Sequence, residues 1–160
     1  MVNPNPSVRP TVLIVDDDNG IRKLLTTVLS ENGYDPDACG TGQEAVAKTN
    51  ERFYDMALID IILPDMNGLE LLTKIRETKP KMRKIIMTGN PSLQNAVEAL
   101  NMGADAYIMK PLDVARMLTT LEQQLKKQRA EREVAMEQFA RGRLRGRVDL
   151  ISREGRTSET

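Results

Sequence analysis

The chain has 160 residues, enough for one domain with an appendage, and its 23 basic residues balance 23 acidic ones, so no net field steers it toward nucleic acid or an acidic membrane. It contains no histidine, which excludes His-based zinc sites, Ser-His-Asp triads and a phosphohistidine within the chain itself. Its single cysteine, Cys39, excludes an internal disulfide. The balance hides an asymmetry: residues 1–120 hold 13 Lys/Arg and 16 Asp/Glu, a formal −3, whereas residues 121–160 hold 10 and 7, a formal +3. No stretch approaches the roughly 18 apolar residues of a membrane span. The opening Met1-Val2-Asn3-Pro4-Asn5-Pro6 lacks the charged start and apolar core of a secretory signal. With one unpaired cysteine, the expectation is a cytoplasmic protein with no membrane partner.

Residues 1–9 carry Pro4 and Pro6 and are expected to form a disordered arm. Residues 11–15 form the first β-rich run, and Asn19 stands where a helix N-cap is expected. Ile21, Leu24, Leu25, Val28 and Leu29 follow with helical spacing, closed by Gly33 at a position favouring a left-handed glycine. The second run, 34–39, contains Pro36, which cannot donate to a central ladder, so this strand is expected at a sheet edge. Thr41-Gly42-Gln43-Glu44 has the capping-box pattern for the second helix. The third run is 56–59. Pro64 then stops the strand, and Gly68 opens a helix carrying Leu69, Leu71, Leu72 and Ile75. The fourth run, 84–87, is followed by Ser92 as a cap and Gly103 as a stop; the fifth is 106–109.

Strand and helix patterns in alternation predict an α/β domain of repeated βα units around a parallel sheet. Leu118, Leu121 and Leu125 continue a stripe on the last helix, but Gln128 and Arg132 occupy positions that should be apolar. Residues 126–160 are therefore expected to form a helical extension and an Arg-rich flexible tail outside the domain.

Open parallel sheets bind ligands at the carboxyl ends of their strands. After the first run stand Asp16, Asp17 and Asp18; after the third, Asp60; after the fourth, Thr88; after the fifth, Lys110 and Pro111. Taken singly, each is an ordinary turn or surface residue. Taken together they place carboxylates, a hydroxyl and an ammonium on one rim. Clustered carboxylates repel and need a cation, and an oxygen-only donor set selects a hard one such as Mg²⁺. A carboxylate beside such a cation can act as nucleophile toward a phosphoryl group, with Lys and Thr neutralising and positioning it.

Four ordered segments carry a family resemblance: Val12-Leu13-Ile14-Val15-Asp16-Asp17-Asp18, Leu58-Ile59-Asp60-Ile61-Ile62-Leu63-Pro64-Asp65-Met66-Asn67-Gly68, Ile85-Ile86-Met87-Thr88-Gly89 and Gly103-Ala104-Asp105-Ala106-Tyr107-Ile108-Met109-Lys110-Pro111. Residues 10–125 resemble the receiver domains of two-component response regulators. The resemblance extends the α/β domain over residues 10–125 and implies a doubly wound, flavodoxin-like five-stranded sheet of order 2-1-3-4-5. It implies that Asp60 is the phosphoacceptor, and that Asp17, Asp60 and the backbone carbonyl of Ile62 hold Mg²⁺, with Asp16 acting through a metal-bound water. It further implies that Thr88 contacts the phosphoryl group, that Lys110 pairs with it, and that the peptide before Pro111 is cis. Thr88 and Tyr107 correspond to the switch residues, and Ile62 and Asn90 to positions that tune phosphoryl lifetime.

The phosphodonor implied is a histidine kinase or phosphotransfer protein, and the output is a downstream protein contacting the face of helix 4, strand 5 and helix 5. The chain is then a signalling switch that catalyses its own phosphorylation and dephosphorylation rather than an enzyme acting on free substrates. Two other classes stay open: a phosphorylation-independent pseudo-receiver that only binds partners, and a Mg²⁺-dependent phosphohydrolase, for which the short loops offer little material for a substrate cap. Arg141, Arg143, Arg145 and Arg147 form a basic run that reads either as a nucleic-acid arm or as a solvated tail. Whether the helix from Asp113 onward pairs two chains into a homodimer is also open.

Overall fold

The computed structural model describes residues 8–90 and 92–154, with Leu93, Gln94 and Glu154 described by their backbone alone. Most of the expected N-terminal arm therefore lies outside the described residues. Arg9, at its end, donates to the Ser30 carbonyl at 3.3 Å.

Five strands alternate with five helices: β1 Thr11–Val15, α1 Asn19–Glu31, β2 Asp35–Cys39, α2 Gly42–Glu51, β3 Met56–Asp60, α3 Gly68–Lys74, β4 Arg83–Thr88, α4 Leu93–Asn101, β5 Ala106–Met109 and α5 Val114–Glu154. All strand pairs are parallel, in the order β2-β1-β3-β4-β5. Both faces of this sheet are covered, which is why the inner strands read as unbroken apolar runs. Successive side chains point to opposite faces. Leu13, Val15, Ala57, Ile59 and Ile86 pack with Ala45, Leu69, Leu72 and Ala99 of α2, α3 and α4. Val12, Ile14, Met56, Leu58, Ile85 and Met87 pack with Leu25 and Leu29 of α1 and Met117 and Leu121 of α5.

Local signals account for most boundaries. β2 pairs only with β1, so Pro36 sits at the sheet edge as its missing amide demands. Gly33 and Gly103 adopt φ of 88° and 102°, the left-handed conformation that ends a helix cheaply only at glycine. Thr41 and Ser92 cap α2 and α4 as expected. The cap of α1 is Asp18, which accepts from the Ile21 amide at 3.1 Å, rather than the expected Asn19. Asn19 instead forms the first residue of the helix.

From residue 125 onward α5 continues as part of one helix of 41 residues, Val114–Glu154. Gln128 is not where the buried stripe fades: it is buried, and its Nε2 donates to the carbonyls of Asp55 at 3.2 Å and Lys81 at 3.0 Å. The Lys81 carbonyl, just before β4, is an acceptor that an apolar side chain could not satisfy, whereas the Asp55 carbonyl, just before β3, also accepts from the Arg83 amide at 3.0 Å. Gln124 donates to the Asp105 carbonyl at 3.2 Å and accepts from Arg83 Nε at 3.0 Å, while Arg83 pairs with Glu131 at 3.1 Å and Asp105 at 3.5 Å. A polar clasp thus carries α5 past the amino ends of the strands. From residue 131 to 153 every side chain is exposed.

Candidate functional site

Parallel strands deliver their carboxyl ends to one rim, and the order β1-β3-β4-β5 brings Asp16, Asp60, Thr88 and Lys110 together there. Asp16 is fully buried; its Oδ1 accepts from the Asp18 amide at 2.9 Å. Its Oδ2 accepts from Lys110 Nζ at 2.7 Å, and the same ammonium donates to Asp60 Oδ2 at 3.0 Å. The other Asp60 oxygen accepts from the Ile62 amide at 3.2 Å. Asp17 is exposed, yet carboxylate oxygens of Asp16, Asp17 and Asp60 all lie within 4.8 Å of one another. The peptide before Pro111 is cis.

Three carboxylates facing one ammonium leave a formal −2. An all-oxygen donor set with that charge fits a hard divalent cation such as Mg²⁺. Burial raises the Asp60 pKa above the usual carboxylate range, opposed by its hydrogen bonds from Lys110 and Ile62. Burial alone would lower the Lys110 pKa, but its bonds to Asp16 and Asp60 outweigh that and hold it above the usual lysine range. The ammonium therefore stays charged across the physiological range, and burial makes the negative charge of Asp60 costly.

Thr88 is buried at the end of β4, with its hydroxyl accepting from the Asn90 amide at 3.2 Å. Tyr107 on β5 packs against the α2–α4 side of the core, and its buried hydroxyl has no hydrogen-bond partner among the described residues. Ile62 holds its side chain out in solvent, 69% exposed, while a bridge to Asn67 folds the loop over the rim. Every residue singled out on the rim is thus placed at one end of the sheet. Arg141, Arg143, Arg145 and Arg147 lie apart from it, on the exposed end of α5.

Three supporting contacts escaped the sequence reading. Asp65 accepts from the amides of Gly42 and Gln43, both at 2.9 Å, tying the loop after Asp60 to the start of α2; those amide bonds lower its pKa. Two unsatisfied amides at a helix start were the available signal. Gly68 packs so tightly that a Cβ there would collide with the Asp60 carbonyl oxygen. Arg22 donates to the Asp16 carbonyl at 2.7 Å. Cys39 is buried, its thiol pushed up to about 12 by burial, and plays no part in the rim.

Fold and rim together define a doubly wound parallel α/β domain with an acidic, cation-seeking cluster bridged by a lysine. A family model described as the response regulator receiver domain matches residues 12–122. The chain belongs to the response regulator receiver family of two-component signal transduction. It is 37% identical over 114 residues to the transcriptional regulatory protein ZraR of Salmonella typhimurium, covering 71% of this chain and 26% of ZraR. It is 33% identical over 117 residues to the response regulator ArlR of Staphylococcus aureus, covering 73% of this chain and 53% of ArlR. The chain thus spans about a quarter to a half of the length of these curated relatives. Among solved structures, a CheY-like receiver domain protein from Methanospirillum hungatei is 43% identical, with a TM-score of 0.73 over 78% of this chain and 99% of that one. The beryllofluoride-activated NtrC4 receiver domain dimer is 35% identical, with a TM-score of 0.69 over 74% of this chain and 98% of that one.

Proposed function

We propose that Asp60 accepts a phosphoryl group from the phosphohistidine of a histidine kinase or phosphotransfer protein, in a Mg²⁺-dependent reaction, and so switches the protein contacts of a cytoplasmic response regulator. The observation that carries this reading is the Lys110 ammonium bridging Asp16 and Asp60 beside Asp17. These 160 residues contain no histidine, so the phosphohistidine lies outside them. An Asp60 oxygen attacks phosphorus, the P–N bond of the donor breaks, and the electron pair stays on the departing imidazole nitrogen, which takes a proton from solvent.

Asp17, Asp60 and the loop carbonyl of Ile62 would hold Mg²⁺, with Asp16 beside it. Mg²⁺ supplies charge neutralisation at the phosphoryl oxygens. Lys110 moves from a carboxylate pair to a carboxylate and a phosphoryl oxygen, so its charge stays compensated throughout. Thr88, one position past the strand partner of Asp60, lies on the neighbouring strand to donate its hydroxyl to the same group. The phosphoryl group stabilises only conformers in which Thr88 reaches it, and a population shift of Thr88 and Tyr107 alters the α4-β5-α5 face. The chain would catalyse both its own phosphorylation and its hydrolysis.

Intact-mass spectrometry after incubation with a small acyl phosphate tests this. A single phosphoryl adduct is expected with Mg²⁺, none with a chelator and none in Asp60→Asn. An adduct that forms without the metal, or that survives Asp60→Asn, refutes the assignment.

A further inference from the structure

The family match ends at residue 122, yet α5 runs on to Glu154. The clasp of Gln124, Gln128 and the Arg83–Glu131 ion pair fixes the direction in which this helix leaves the domain. Beyond it the helix stands free. Val134, Met136, Phe139, Leu144, Val148, Leu150 and Ile151 are each 53–67% exposed. Gly142 and Gly146 lie within it, each costing about 1 kcal/mol relative to alanine in a helix interior. In proteins most helical stability comes from packing an apolar face rather than from propensity.

The apolar face has a direction. Met136, Ala140, Leu144 and Val148 recur every fourth residue, with Ile151 three further on, forming one stripe. The charges along it are segregated: residues 131–137 hold three Glu and one Arg, whereas residues 141–147 hold four Arg and no acid. We propose that the Met136–Ala140–Leu144 part of this stripe pairs with the same part of a second copy of the chain, antiparallel and centred near Ala140, leaving Val148 and Ile151 outside the central contact. That arrangement sets Met136 against Leu144 of the second copy and repeats the contact by symmetry. Glu137 then faces Arg143, and Glu133 faces Arg147. A parallel pair would stack four Arg on four Arg, so the charge pattern selects the antiparallel form. Glu131 stays committed to Arg83 within its own chain. The contact needs no phosphoryl group and places the two receivers at opposite ends of a two-helix rod.

Sedimentation equilibrium on the full chain, from micromolar to near-millimolar concentration, tests the pairing. The wild type is expected to dimerise. Arg143→Glu with Arg147→Glu, and separately Glu133→Arg with Glu137→Arg, are each expected to weaken the dimer by about tenfold or more. The chain carrying all four reversals recovers it, as does an equimolar mixture of the two double variants. Leu144→Lys removes it while leaving phosphoryl acceptance by the receiver unchanged. A monomeric wild type overturns the proposal. So does a dimer that either double reversal leaves unchanged, as a parallel pair of like charges would, or a failure of the four-fold reversal to restore association. A wild type that stays monomeric and instead shifts duplex DNA in a salt-sensitive, Arg-dependent way assigns the basic run to nucleic acid.

Discussion

Replacing Lys110 by Met leaves Asp16 and Asp60 facing each other without their shared cation. The two ion pairs span 2.7 and 3.0 Å, worth about 5–6 kcal/mol each at an effective dielectric near 20 before desolvation is counted. Removing one partner of a buried pair costs about 3–5 kcal/mol net, and the partial exposure of Lys110 argues for the lower end, about 3 kcal/mol. Urea and thermal unfolding in a chelator should show this as a melting temperature lower by about 6–12 °C. Saturating Mg²⁺ should shrink the deficit, because it opposes the same carboxylates. Acid should shrink it too. The folded pKa of Asp60 is raised, so the folded state binds a proton more tightly than the unfolded one. Its contribution is therefore greatest in acid and falls as pH rises from the ordinary carboxyl value through the folded one. Adding Asp60→Asn to Lys110→Met should recover much of the loss. Wild-type stability in the chelator, or a deficit indifferent to both pH and Mg²⁺, would refute the electrostatic account of the rim.

Ile62→Asn is expected to hasten loss of the phosphoryl adduct on the order of tenfold, the worth of one hydrogen bond that orients water, because the exposed apolar Ile62 offers none; an unchanged or slower decay by timed intact-mass measurement counts against it. Gln128→Ala takes the side-chain donor from the Lys81 carbonyl and one of two donors from the Asp55 carbonyl, and should cost about 2 kcal/mol in urea unfolding, with faster proteolytic cleavage of α5 beyond the domain. Unaltered cleavage would show that the clasp does not hold the extension. Tyr107→Phe removes a buried hydroxyl that has no partner among the described residues, so stability should hold or rise by up to about 1 kcal/mol; a loss of that size would mean the hydroxyl is satisfied.

Wherever a residue's role followed from its own backbone or its neighbours in the chain, the sequence by itself determined the outcome. Pro36 placed β2 at the edge because it has no amide to donate, and Gly33 and Gly103 ended helices because only glycine takes positive φ cheaply. Asp16, Asp60, Thr88 and Lys110 were legible because parallel strands all deliver their carboxyl ends to one rim. The tertiary structure alone decided contacts between groups far apart in the chain. Asp65 meets the Gly42 amide across 23 residues, and Gln128 meets the Asp55 carbonyl across 73. No local pattern announces an unsatisfied amide or carbonyl on a distant element, so Gln128 read as the end of a stripe and proved to be its polar continuation. The same limit hid the Gly68 packing on the Asp60 carbonyl. Local chemistry thus named the groups on the rim, and the packing of distant elements decided how tightly each is held.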